Sequence, residues 1–408
     1  MHIKASSNDG NVEIVDNLEH QLGTKSEWYD SYIRLCHGDL GTQERHDSTT
    51  FFHAIENSSQ NRLQWLVTVP GVFHIRMAAV DAIWRTHISG HALQSNEGGT
   101  YKLFQTLHPR DFTKLSRNPS YRMLNDGIMH LMTVCWEQVL GNSDLQGFSE
   151  TEPAWDTIDD LAHQIFIKHF AGNNFNDLQD LPNSERDRRL ENQLLFNRDG
   201  LMYVLLAQAS NTGAVGFMKD LLWIWVPMFC ACGKHKYVAH LSKFLRDLRD
   251  TCPARLSHTI KMHWLCNPTG MPDGFRGVDW WVELNNLYTK VIFCGKGSNR
   301  TLTHIINQSS LIDTYRSVHT NIEKNFAVTP NSTRHTPTNM ANTLQELCKK
   351  IRSYHCHSLV PGSHVEAEVP DILNDGLAEY YRVNSKEVDL EKGDTELGAL
   401  EMDDLEAM

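Results

Sequence analysis

The chain has 408 residues, 40% hydrophobic and 22% charged, an ordinary globular composition able to bury a sizeable core in one large domain or two to three average ones. Its longest apolar run, Leu221 to Cys232, has 12 residues and contains Pro227. That is too short for a membrane span, which needs about 20 apolar residues. The net charge of −12 is concentrated at the ends: −11 from Glu366 to Met408 and −4 from Met1 to Asp30 leave the body at about +3, which keeps a nucleic-acid partner open.

Residues 1–27 are polar and are expected to be a flexible segment, with a short helix around Val12 to Leu22. "MHIKASSNDGNVEIVDN" has no apolar signal region, and the nine cysteines are scattered, as suits reduced, buried thiols. The expected location is therefore intracellular, nuclear or cytoplasmic, and not secreted. "SYIRLCH" reads as a strand ended by Gly38. "TQERHDSTTFFHAIENS" reads as a helix with Thr42 as its N-cap. "RLQWLVTVPG" reads as a second strand, and "VFHIRMAAVDAIWRTHI" as a second helix with Ile75, Ala78, Ala79, Ala82 and Ile83 on its apolar face. Two strands each followed by a helix predict a β-α-β-α unit with parallel strands over residues 28–90.

From residue 91 to 365 the pattern is mainly helical. Helices are predicted at "YRMLNDGIMHLMTVCWEQVLG", "AWDTIDDLAHQIFIKHFAG", "SERDRRLENQLLFNRDGLMYVLLAQAS" and "GFMKDLLWIWVPMFCACG". Others follow at "KYVAHLSKFLRDLRDTC", "PARLSHTIKMHWLCN", "VDWWVELNNLYTKVIF", "SLIDTYRSVHTNIEKNF" and "NTLQELCKKIRSYHCH". Asn173 to Pro182 and residues 327–339 read as loops. Residues 366–408 form an acidic tail, expected to be disordered in part.

Asp39 ends the first strand between Gly38 and Gly41. Loops at the C-terminal ends of parallel strands are where α/β proteins bind ligands, and a carboxylate there suits Mg²⁺ beside a phosphate. An Asp in a strand-to-helix turn serves equally by bonding local amides. His74 and Asp81 lie seven residues apart on one face of the second helix, His74 at the same sheet edge as Asp39. Asp279, Glu283 and Asn286 share a face of a later helix, placing two carboxylates and an amide together, on a metal site or on a solvated face. "CACGKHKYVAH" holds Cys230, Cys232, His235 and His240, but a Cys-x-Cys pair matches no common zinc spacing, so zinc is not expected. "GKGSNRT" lacks the Walker A spacing and reads as a helix C-cap loop. Lys236, Lys243, Arg246, Arg249 and Arg255 form either a DNA-binding face or a solvated amphipathic helix pair.

Several of these segments together resemble one family. "HGDLGTQER", "RLQWLVTVPGVFHIRMAAVDAIWRTHI", "NRDGLMYVLLAQA", "HWLCNPTGMPDGFRGVDWWVELNNLYTKVIF", "GSNRT" and "RHTPTNM" occur in the order of the fungal domain of unknown function 6589 family, from about Trp28 to His357. The resemblance implies a transposon-derived group with a ribonuclease H-like core, abundant in mushroom-forming fungi. It implies an α/β, predominantly helical fold, with a small ribonuclease H-like sheet unit and a large helical remainder. In such cores acids at strand ends and on a helix hold Mg²⁺ or Mn²⁺, so Asp39 and Glu283 would be the metal ligands, with His74 and Asp81 beside them. Family members carry an upstream Asp-Asn strand motif, whereas Asp16-Asn17 here lies in a polar stretch. Many relatives also carry Gly-Asp where this chain has Asn211-Thr212-Gly213. The expectation is an incomplete site, in a truncated or inactive copy, with a non-catalytic nucleic-acid-binding or scaffold role as the alternative.

Overall fold

The structure, a computed structural model, describes residues 3–4, 6–107, 112, 119–139, 151–293, 301–326 and 339–384. The "GKGSNRT" loop up to Arg300, the loop at 327–338 and the last part of the acidic tail lie outside the described residues. Among the described residues, the helices of eight residues or more are α1 (Asn8–Leu22), α2 (Leu40–His53), α3 (Val72–Ile83), α4 (Thr100–Leu107), α5 (Tyr121–Val139), α6 (Trp155–His169) and α7 (Arg188–Thr212). They continue with α8 (Val215–Ala231), α9 (His235–Arg246), α10 (Ala254–His263), α11 (Val278–Phe293), α12 (Ile312–Asn325), α13 (Ala341–Ser353) and α14 (Ile372–Asn384). The architecture is predominantly helical with small sheets. No helix among the described residues is long and apolar enough to cross a membrane.

The predicted β-α-β-α unit is present. β1 (Arg34–Gly38) and β2 (Leu66–Pro70) pair in parallel, with Cys36 opposite Thr68 and Gly38 opposite Pro70. Pro70 has no amide hydrogen to give, so it suits a strand end. The next amide, on Gly71, donates to the Gly38 carbonyl at 2.9 Å. The Pro70 carbonyl accepts from the fully buried Trp264 indole at 2.8 Å, which fixes this edge against the segment after α10. A second pair, β3 (Leu265–Cys266) with β4 (Arg276–Gly277), is antiparallel and leads into α11.

Helix α3 enters the core directly after β2. Ile75, Ala78, Ala79, Val80, Ala82 and Ile83 are all buried. A helix buried on nearly every side belongs at the centre of a domain, and its alanines allow close approach. It packs against α5, α7, α8 and α11. After Ile83 the helix widens into a π turn, Trp84–Ile88, so the predicted single helix has a change of pitch near its end. The long α7 is also central, and its buried polar groups are paired: His87 with Asp199, Arg198 with Asp199 and Asp371, Gln193 with Asn197.

Two expectations change, and part of the acidic tail is helical. The cap of α2 is Asp39, not Thr42: the Asp39 carboxylate accepts the Thr42 amide at 2.7 Å, which starts the helix at Leu40. Asn173 to Gln179 is a short helix rather than loop, begun by Asn174 bonding the Gly172 and Phe175 amides. The tail segment Ile372–Asn384 is helical and lies along α8. It buries Ile372, and at its start Asp371 takes the Arg198 guanidinium and the Asn374 amide.

Candidate metal and proton-transfer site

The centre of the site is a helix start with no cap of its own. Gly71 precedes α3 and has no side chain to bond the first amides. Asp279, from the first turn of α11 and more than 200 residues away, does so instead. It accepts the Phe73 amide at 3.2 Å and the His74 amide at 3.1 Å. The same carboxylate takes His74 Nδ1 at 2.9 Å. Asp279 is 3% exposed, so these bonds act where solvent screens little. Two glycines leave room for it. A Cβ on Gly71 would sit 2.2 Å from one Asp279 oxygen, and a Cβ on Gly277 would sit 2.4 Å from the other.

Held through Nδ1, the His74 ring points Nε2 towards Glu283, one turn along α11, with Oε1 at 4.0 Å. Asn286 donates to the other Glu283 oxygen at 3.3 Å. Asp39, at the end of β1, adds its charge to the field at His74. Burial alone lowers the His74 pKa, but the Asp279 bond and the charges of Asp279, Asp39 and Glu283 outweigh it and raise the value above that of a free imidazole. For Asp39, burial works upward, but the bonds from the Thr42 hydroxyl and amide and the His74 charge prevail and lower the pKa. His37, on β1 and close enough to feel Asp279, behaves oppositely. Burial, against the raising pull of Asp279 and with His263 opposing charge, lowers it to about 4.

A cleft of about 20 Å³ opens beside His74, between Gly38, Pro70, Gly71, Tyr237 and His240. That is room for about one water. Its rim joins α2 to α9: Lys236 meets Glu44, and Lys243 and His240 meet Asp47. Of the basic residues singled out in the sequence, Lys236 and Lys243 are therefore paired across this rim. Arg249 pairs with Asp250 and lies over Trp223.

Asp39, His74 and Glu283 thus come to one sheet edge. Asp81 goes elsewhere: its buried carboxylate takes Lys234 Nζ at 2.7 Å and Arg85 Nε at 2.9 Å. Asp279, marked in the sequence as a metal-site or solvated-face acid, is neither exposed nor free: it is buried and caps α3. It was visible as the i−4 neighbour of Glu283, but nothing local indicated that it caps a distant helix.

Asp39, His74 and Glu283 do not draw three donor atoms within 4.8 Å of one another. Among the described residues the one group that does is Cys230, His235 and Glu379. At the strand edge a cation would complete its shell with water, which suits Mg²⁺ or Mn²⁺.

Compared with known proteins, the model of a family of unknown function, DUF6589, matches residues 1–335. No curated protein and no solved structure matches the chain.

Proposed function

The chain belongs to the DUF6589 family, and on that premise we propose that the edge formed by Asp39, His74 and Glu283 binds Mg²⁺ or Mn²⁺ and carries out phosphodiester chemistry, as a transposase-derived, ribonuclease H-like remnant. The observation that carries this reading is the convergence on His74 of a strand-end carboxylate and a helix-borne carboxylate. A bound divalent cation supplies Lewis-acid polarisation of a phosphoryl oxygen. Asp39 and Glu283 would hold it. His74, on the cleft wall, would carry the proton of an attacking water, and Asp279 would keep the ring in position. Asp81 has no part, because Lys234 and Arg85 use its carboxylate.

DNA is the substrate class that suits the basic run from Lys236 through Lys243, Arg246 and Arg249 to Arg255, which begins at the rim of the cleft. A DNA-binding role without catalysis is the second reading. The pairing of Lys236 and Lys243 with Glu44 and Asp47 argues for modest affinity in either case.

Asp39→Asn is the informative variant. An amide oxygen still caps α2, but the charge is gone; Asp39→Ala loses the cap as well, at about 1 kcal/mol. Calorimetric titration of Mn²⁺ into the full chain should give binding that weakens in Asp39→Asn and in Glu283→Gln, and Mn²⁺-dependent cleavage of DNA should be lost in both. Equal Mn²⁺ binding in all three proteins would remove the metal reading. Salt-dependent DNA binding unchanged by Asp39→Asn, with no cleavage in the parent protein, would leave the non-catalytic role.

A further inference from the structure

The tail helix α14 lies beyond the residues that the family model matches, and it packs along α8. Gly376 faces the Pro227 carbonyl so closely that a Cβ there would stand 1.9 Å from the oxygen. Only a glycine lets the two backbones meet in this way. One turn on from that contact, at Glu379 on α14 and Cys230 on α8, two polar side chains face each other across the helix pair. A third arrives from the next element. The chain leaves α8 through Cys232, turns at Gly233 with φ of +70°, and begins α9 at His235. The Cys230 sulfur, a His235 ring nitrogen and a Glu379 carboxylate oxygen all lie within 4.8 Å of one another. Cys230 is 4% exposed, whereas His235 is exposed and Glu379 half-buried, so the group has a closed floor and an open mouth.

We propose that Cys230, His235 and Glu379 form a zinc site that clamps α14 to the body of the protein. A thiolate, an imidazole and a carboxylate are the ligand types of borderline-soft Zn²⁺ rather than Mg²⁺, and three protein ligands with a solvent-facing fourth position is an accepted zinc arrangement. The spacing Cys-x₄-His was unrevealing in the sequence because the third ligand lies almost 150 residues further on. Arg382, one turn beyond Glu379, adds a positive charge that acts on Cys230, and Glu379 offsets it. The thiolate is the form that ligates, so loading exchanges the Cys230 proton for the metal. The site is independent of the strand-edge reading, since it shares no residue with it and takes a different class of ion.

The test is titration of Co²⁺ into the full chain, read by absorbance. A thiolate-to-cobalt charge-transfer band reports sulfur ligation, which the oxygen and nitrogen donors at Asp39, His74 and Glu283 cannot produce. The proposal expects one equivalent to develop the band, Zn²⁺ to displace it, and Zn²⁺ to raise the thermal midpoint. Cys230→Ser should abolish the band, and Glu379→Gln and His235→Ala should weaken cobalt binding. Cys232→Ser and Asp39→Asn should keep it, since Cys232 Sγ bonds Thr86 instead. Glu379→Gln keeps the side-chain shape at a half-buried position, so its folding is not at issue. A chain that develops no band, or a band that survives Cys230→Ser, or one that is lost equally in Cys232→Ser, overturns the proposal.

Discussion

Asp279 has two tasks that a single carboxylate can perform because it is buried at a helix start. It satisfies amides of α3 that Gly71 leaves open, and it holds the His74 ring. Hydrogen bonds to a charged group are each worth about 1.5–3 kcal/mol, and their loss leaves buried donors without partners. Asp279→Ala is therefore expected to cost about 3 kcal/mol or more in denaturant unfolding, although the residue lies outside any local motif. Asp279→Asn keeps an acceptor for the amides but removes the charge. It should cost less and should bring the His74 pKa down from its raised position, as read by NMR titration of the ring. An unchanged His74 titration would mean that Asp39 and Glu283 set it alone. The glycines at 71 and 277 belong to the same arrangement, since each removes a Cβ from the space that the carboxylate fills.

Between elements, the ion pair of Asp81 and Lys234 joins the last turn of α3 to the turn before α9. Both residues are buried, with Arg85 as a half-exposed second partner for the carboxylate. Removing one member of a buried pair costs about 3–5 kcal/mol because it leaves an uncompensated charge. Arg85 remains to share the Asp81 charge, so Lys234→Met should cost about 2–3 kcal/mol in chemical unfolding. The double variant Asp81→Leu with Lys234→Met should recover most of that loss, because two apolar side chains of similar volume need no partner. A double variant as unstable as the sum of the singles would mean that the pair contributes more than mutual neutralisation. This pair also accounts for the separation of His74 and Asp81. Seven residues along α3 put them on one face, but about 10 Å apart along the axis, and each end of that face meets different neighbours.

Across the whole molecule, stability towards acid should be governed by histidines that are neutral in the fold. His357, after α13, and His169, the last residue of α6, meet edge to face with ring centres 5.8 Å apart. Burial, reinforced by His169, lowers His357 to about 3; burial, reinforced by Lys168, lowers His169 to about 4. In the unfolded chain both titrate near 6.5. Above that value neither state takes up a proton, and their contribution to stability is fully present. Below it the unfolded chain binds protons that the fold refuses, and stability falls by up to about 1.4 kcal/mol per pH unit for each group until the folded values are reached. The thermal midpoint should therefore decline from about pH 6.5 towards pH 4. His357→Leu should reduce that slope and should stabilise the protein more at pH 5 than at pH 8. The same slope in the variant would exclude His357 as a source of it. Neither ring nitrogen of His357 has a hydrogen-bond partner among the described residues, so an apolar replacement removes a desolvation cost as well.

The sequence by itself determined the local elements and their order. An apolar, β-branched run and a closing glycine gave β1, the helical pattern gave α3 and α5 to α13, and two strand-helix repeats gave the parallel pair. These are properties of neighbouring residues, whose backbone and side-chain periods are written in the chain. The sequence also marked Asp39, His74 and Glu283, because strand ends and helix faces are local. Only the tertiary structure decided which of these meet. Asp279 reaches the start of α3 across some 200 residues, Asp81 is drawn away by Lys234, and Glu379 comes to Cys230 because Gly376 lets a tail helix settle on α8. Such contacts depend on how helices pack, and packing is set by the summed shape of many side chains rather than by any one stretch.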